Sequence, residues 1–189
     1  MHPTPGIPRA IEARPLTLDA RPEDKARLGA ALSEHYALVW RSLRRFGVAE
    51  STVDDSAQHV FLTLAERLED VDRGSERAFL IAVAVRVAAN ARRLVERSRE
   101  VPLEDLEGVL EAGLTPEELL VQKQRRLVLD EALATLSLDQ RVVFVLFELE
   151  GFSLPEIAES VGIPLGTATS RLRRARQHFE SWVSTHEQP

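Results

Sequence analysis

The chain has 189 residues, a formal net charge of −6 and a hydrophobic fraction of 44%, enough apolar material for one domain or two small ones. It has no cysteine, which excludes disulfides and thiolate metal sites. It has no apolar run of about 18 residues that could span a bilayer, so a cytoplasmic protein with no membrane contact is expected.

Residues 1–22 hold five prolines and no hydrophobic block, which reads as a flexible tail. A first helix is expected from about 23 to 46, with Leu28, Leu32, Tyr36, Val39, Leu43 and Phe46 on one stripe and Gly47 as its stop. Ser51 or Thr52 is placed to cap a second helix whose Val53, Ala57, Val60, Phe61, Leu64 and Leu68 face inward. A third starts near Ser75, carries Phe79, Leu80, Val83, Val87 and Leu94, and ends in the basic run Arg92, Arg93, Arg97 and Arg99.

Composition then changes. From 100 to 122 there are seven acidic residues and no basic one, with Pro102, Gly108, Gly113 and Pro116 among them, the pattern of a linker. The next helix opens at Thr115 with Pro116 at its first position and Glu118 closing a capping box. It carries Leu119, Leu120, Leu127, Val128 and Leu133. Ser137 with Gln140 caps a further helix containing Val142, Val143, Val145, Leu146 and Leu149, ended by Gly151.

The last stretch is the most telling. Ser153 and Glu156 form a capping box around Pro155, Gly162 suits a left-handed helix end, and Pro164 starts a new helix. That helix presents Ala168, Leu172, Ala175, Phe179 and Trp182 at spacings of four and three, one face toward a core. Between Gly166 and Gln177 it holds four arginines and no acid. An acidic chain that gathers arginine on one helix has a local use for positive charge, and a nucleic-acid backbone is the commonest. In a helix-turn-helix the start of the second helix meets base edges. Thr167, Thr169, Ser170 and Arg171 are therefore the expected base readers, with Arg173, Arg174 and Arg176 on phosphates.

Nothing points to catalysis. His2, His35, His59, His178 and His186 share no ligand spacing, so no metal is expected. No glycine-rich phosphate loop or nucleophile elbow is present, so no cofactor is expected and the chain is not read as an enzyme. Asp54 and Asp55 are neighbours on a helix and do not converge on one point. The fold class is all-α: two small helical domains, 23–99 and 116–183, joined by an acidic linker at 100–115, the C-terminal one a helix-turn-helix.

The run from 132 to 176, ALATLSLDQRVVFVLFELEGFSLPEIAESVGIPLGTATSRLRRAR, and the run VDDSAQHVFLTLAERL at 53–68 resemble regions four and two of the bacterial extracytoplasmic-function sigma factors. The resemblance implies a promoter-specificity subunit that binds core RNA polymerase and promoter DNA. It implies a polymerase-docking surface at Asp54, Asp55, Gln58, Phe61 and Leu64, and a helix that melts and reads the minus-ten element through Phe79, Arg86, Asn90, Arg92 and Arg93. The recognition helix would read the minus-thirty-five element. The chain departs from the usual family pattern, which has tryptophan at Phe79, a basic–Asn pair at Val85 and Arg86, aspartate at Asn90 and lysine at Thr169, so its base preferences are its own. Members of the group can be held by an anti-sigma protein, a partner the resemblance admits and no residue here specifies. The alternatives are a standalone helix-turn-helix regulator, which needs no polymerase surface, and a sigma-like decoy for an anti-sigma protein.

Overall fold

The computed structural model describes residues 21–97 and 116–186, and side chains at 21–94 and 124–186. The tail, the acidic linker and the capping box expected at Thr115 lie outside them. Among the described residues every regular element is helical and there is no strand.

Helix α1 (Pro22–Phe46) has Pro22 in its first turn and ends at Gly47, whose φ of 102° is left-handed, as a glycine stop requires. Helix α2 (Glu50–Glu66) begins earlier than expected. Its cap is Ala49, with no side-chain hydrogen bond, and not Ser51 or Thr52. Glu50 enters the first turn instead and pairs with Arg44 at 3.2 Å. A short 3₁₀ turn (Leu68–Asp70) leads to α3 (Glu76–Arg97). Arg27 ties these elements together. It donates to Glu76 at 2.6 Å, to the Leu68 carbonyl at 3.0 Å and to the Val71 carbonyl at 2.6 Å. Their shared core contains Val39, Leu43, Phe46, Val60, Leu64, Leu80 and Ile81.

Among the described side chains of helix α4 (Pro116–Ala134), Ala132 and Leu133 are buried and Leu129 is partly buried against the core. Leu127 and Val128 are about half exposed, at 51% and 52%. Helix α5 (Leu138–Phe144) is capped by Ser137, whose hydroxyl accepts from the Gln140 N–H. It runs on into one π-helical turn, Val145–Leu149, where the Glu150 N–H reaches the Val145 carbonyl at 3.1 Å. Helices α6 (Leu154–Val161) and α7 (Leu165–His186) complete the chain.

The two helical units touch. One apolar core runs from α1–α3 into α5–α7, and α3 packs on α6. Polar contacts close the seam. Glu150 lies between Arg41 and Arg45, at 3.0 Å and 2.5 Å. Arg141 aims at the Phe46 carbonyl, 3.5 Å away at the end of α1. Gly47 permits this, since a β-carbon there would sit 2.7 Å from the Arg141 guanidinium. Burial, then the charge of Arg92, pushes the Arg141 guanidinium below its usual pKa, against the pull of Asp130.

Candidate nucleic-acid interface

The helix-turn-helix forms as its residues dictate. The Ser153 hydroxyl accepts from the Glu156 N–H at 3.4 Å, and the Glu156 carboxylate accepts from the Ser153 N–H at 2.7 Å. The Ser153 hydroxyl and then its N–H hold Glu156 below the usual carboxylate range, with Arg77 adding to them against a small desolvation effect. Gly162 ends α6 at φ 72°. Pro164 restarts the chain, its carbonyl accepting from Thr167 and Ala168 at 2.9 and 3.1 Å. Ala168, Leu172 and Ala175 bury the inner face of α7, and Phe179 stacks on Phe144 of α5 with centroids 5.0 Å apart.

The outer face of α7 divides in two. Arg173 and Arg174 project into solvent. Arg171 is held by Asp139 at 2.5 Å, and Arg176 by Glu148 at 2.6 Å. Arg176 also lies 5.2 Å from the centre of the Phe147 ring. Thr169 and Ser170 donate to their own helix, to the Leu165 carbonyl at 2.9 Å and the Thr167 carbonyl at 3.0 Å. Thr167 is half-buried. A base edge would therefore exchange partners with these side chains.

On α3, Phe79 is half-buried at the core's edge, while Arg86, Asn90, Arg92 and Arg93 are exposed. At about 100° per residue, Arg86, Asn90 and Arg93 share one stripe and Arg92 lies off it. It is the Arg92 charge that Arg141 senses across the seam.

The expected docking helix needs correction. Leu64 is fully buried, at 0% exposure, and Phe61 is buried as well; both belong to the core because they fall on the inward stripe of α2. Asp54 has an internal partner, accepting from the Trp40 indole N–H at 2.8 Å. Burial, and then Asp54, raises the pKa of the nearby Tyr36 hydroxyl. Asp55 and Gln58 are exposed as expected. Sequence reasoning missed Leu62, which follows Asp55 and Gln58 at helical spacing and is exposed. Leu32 and Tyr36, expected on one stripe with Val39, Leu43 and Phe46, are exposed, and Tyr36 stacks on Phe61 with centroids 6.1 Å apart. A mixed acidic and apolar face results. Among the described residues no cluster of metal-ligating side chains occurs, and no helix is long and apolar enough to cross a membrane.

Comparison with known proteins matches two stretches of the chain to two family regions. The profile described as "Sigma-70 region 2" covers residues 31–98, and "Sigma-70, region 4" covers 126–179. The sigma-E factor of Escherichia coli is 31% identical over 148 residues, 72% of this chain and 76% of that protein. The chain belongs to the extracytoplasmic-function sigma factors. The SigE sigma factor of Mycolicibacterium smegmatis is 26% identical over 154 residues, and the match spans 81% of this chain but 60% of that longer relative. Two solved structures share the fold of this sigma factor. CnrH, in complex with the cytosolic domain of CnrY, has a TM-score of 0.65 at 22% identity, over 86% of this chain and 91% of that one. RpoE of Bartonella quintana, in complex with the anti-sigma factor NepR, has a TM-score of 0.64 at 21% identity, over 84% and 98%.

Proposed function

We propose that this sigma factor confers promoter specificity on bacterial RNA polymerase in the cytoplasm, binding core enzyme and promoter DNA and catalysing nothing itself. Residues 23–99 form the unit for core polymerase and the minus-ten element. Residues 116–183 form the unit for the minus-thirty-five element, with 100–115 as the linker and 1–22 as a tail. Asp55, Gln58 and Leu62, with Tyr36 and Leu32 beside them, make the docking face. Arg86, Asn90 and Arg93 take the single strand, since cations track a phosphate backbone and bases stack on apolar rings such as Phe79. Thr167, Thr169, Ser170 and Arg171 read duplex bases. Arg173 and Arg174 grip phosphates, and Arg176 joins them if it leaves Glu148.

The observation that carries this reading is the presence on one chain of two exposed cationic helices, α3 and α7, together with an acidic–apolar face on α2 that neither helix needs for DNA. The net charge of −6 weakens binding of the free chain to random DNA, which suits a factor that acts on the polymerase. The anti-sigma factor NepR bound to one structural neighbour makes an anti-sigma protein the expected regulator here too. Run-off transcription with purified core polymerase on a genomic library tests the function. Promoter-specific transcripts that require this chain support it. Tight operator binding without polymerase, and no such transcripts, would instead identify a standalone regulator.

A further inference from the structure

The arginines of α7 are not equivalent. Arg173 and Arg174 are exposed. Arg171 lies near the end of the second turn of α7, in the stretch that meets base edges in a helix-turn-helix. It sits one turn beyond Thr167, on the same side of the helix. Arg176 lies more than a turn further on, held by Glu148 at 2.6 Å.

The partner of Arg171 is Asp139, in the first turn of α5. Its carboxylate accepts from one terminal nitrogen of the guanidinium at 2.5 Å. The carboxylate is carried by a firmly packed element. Ser137 caps α5, and Val142 and Val143 are buried. Phe144 of the same helix stacks on Phe179 of α7. The Asp139 side chain is 65% exposed and that of Arg171 24%, and a pair so open to solvent adds little to folding stability. Its effect is on direction. An arginine side chain has many rotamers, and ordering one on binding weakens affinity by roughly two- to tenfold. A guanidinium donates from every nitrogen; Asp139 takes one, and a guanine edge needs a pair. On a bound duplex the same carboxylate opposes phosphates, whatever the sequence.

We propose that Asp139 is a positioning residue for promoter discrimination: it aims Arg171 at a base edge in advance and keeps it off phosphates, so that affinity is gained on the right base pair and withheld from random DNA. This rests on the reading of α7 as the helix that meets the duplex. The edge that suits the held guanidinium is one with adjacent acceptors, N7 and O6 of guanine. Glu148 acts differently. It draws Arg176 toward Phe147, beyond the base-reading turns, and so lowers affinity for all sequences alike.

The test uses the full-length protein on core polymerase and a duplex library randomised over the upstream element. Selection and sequencing give the base preferences of the parent, and competition of the best duplex against a scrambled one gives its discrimination ratio. Asp139→Asn should lower that ratio by up to about tenfold, with the loss of preference confined to the base pair that Arg171 reads. Affinity for the scrambled duplex should rise, with a salt slope steeper by about 1 as Arg171 is freed for a phosphate. Asp139→Glu keeps the charge and should recover part of the ratio. In an Arg171→Ala background, Asp139→Asn should change the ratio no further. Glu148→Gln should raise affinity for both duplexes and leave the ratio alone. Equal shifts on both duplexes for Asp139→Asn, or the same fall of the ratio in the Arg171→Ala background, overturn the positioning role. If circular dichroism shows that Asp139→Asn does not fold, Asp139→Ser takes its place in each arm. No base preference in the parent, or none lost in Arg171→Ala, marks the failure of the α7 reading; the proposal falls with it, but that failure is read without any Asp139 variant.

Discussion

Arg77 of α3 lies over Phe152, its guanidinium carbon 3.6 Å from the ring centre. The contact joins residues far apart in the chain and in different units. A partly desolvated cation–π pair contributes about 1 kcal/mol. A double-mutant cycle of Arg77→Ala and Phe152→Leu, read by urea unfolding, should return a coupling of about that size. Arg77→Lys should lose much of it, because an ammonium cannot lie flat on a ring. Independent, additive effects would count against the pair.

Asp55 and Leu64 are about two and a half helical turns apart, on opposite faces of α2, and should fail in different ways. Asp55→Arg should abolish binding to core polymerase in a pull-down while leaving thermal unfolding within a degree or two. Leu64→Ala should cost about 2–5 kcal/mol of stability, as expected for a fully buried leucine. Leu62→Asp should resemble Asp55→Arg. If polymerase binding survives both surface changes, the docking face lies elsewhere.

On α7, solvent-facing and paired arginines should behave differently. Arg173→Ala and Arg174→Ala should weaken binding evenly across DNA sequences and reduce the salt slope by about 1 each. Arg171→Ala should instead cost about 1–3 kcal/mol on the preferred minus-thirty-five sequence alone, provided it makes a bidentate base contact. Competition titrations of the isolated promoter duplex against scrambled duplex, with polymerase bound, separate the two patterns.

Arg27→Ala removes three hydrogen bonds at once and leaves two carbonyls and Glu76 without it. The expected loss is about 2–4 kcal/mol at neutral pH. Burial alone would raise the Glu76 pKa, but its own backbone N–H, Arg27 and the Gly74 N–H together bring it below its ordinary 4.5. The unfolded chain therefore binds this proton more readily than the folded one. Glu76 stabilises the fold above about pH 4.5, and that contribution is lost as pH falls through its lower folded value. Urea midpoints of the parent and Arg27→Ala should converge under acid. A gap that stays constant down to pH 3 would falsify this assignment.

Locally encoded features were legible in the sequence. The Ser153–Glu156 box, the Gly162 stop and the inner face of α7 each depend on residues a few positions apart, so a one-dimensional pattern holds them. Periodicity misled where packing is partial. Leu127 and Val128 of α4 are apolar yet about half exposed, whereas Ala132 and Leu133 further along the same helix are buried. On α2, Phe61 and Leu64 were read for both core and docking, and burial decides for the core. The seam was invisible. Arg45 and Glu150 are 105 positions apart, and an ion pair between distant residues leaves no spacing to detect.

The π-helical turn at 145–149 sets how the following residues are aimed. Relative to an uninterrupted α-helix, one added residue rotates all that follows by roughly 100°. With it in place, Glu148 turns toward Arg176 within its own unit, while Glu150, two positions on, turns outward to α1. Deleting a single residue from this turn would re-index the chain behind it and point Glu150 away from its arginines, although no charge had been changed. For this protein, the length of five residues carries information that their chemistry alone does not.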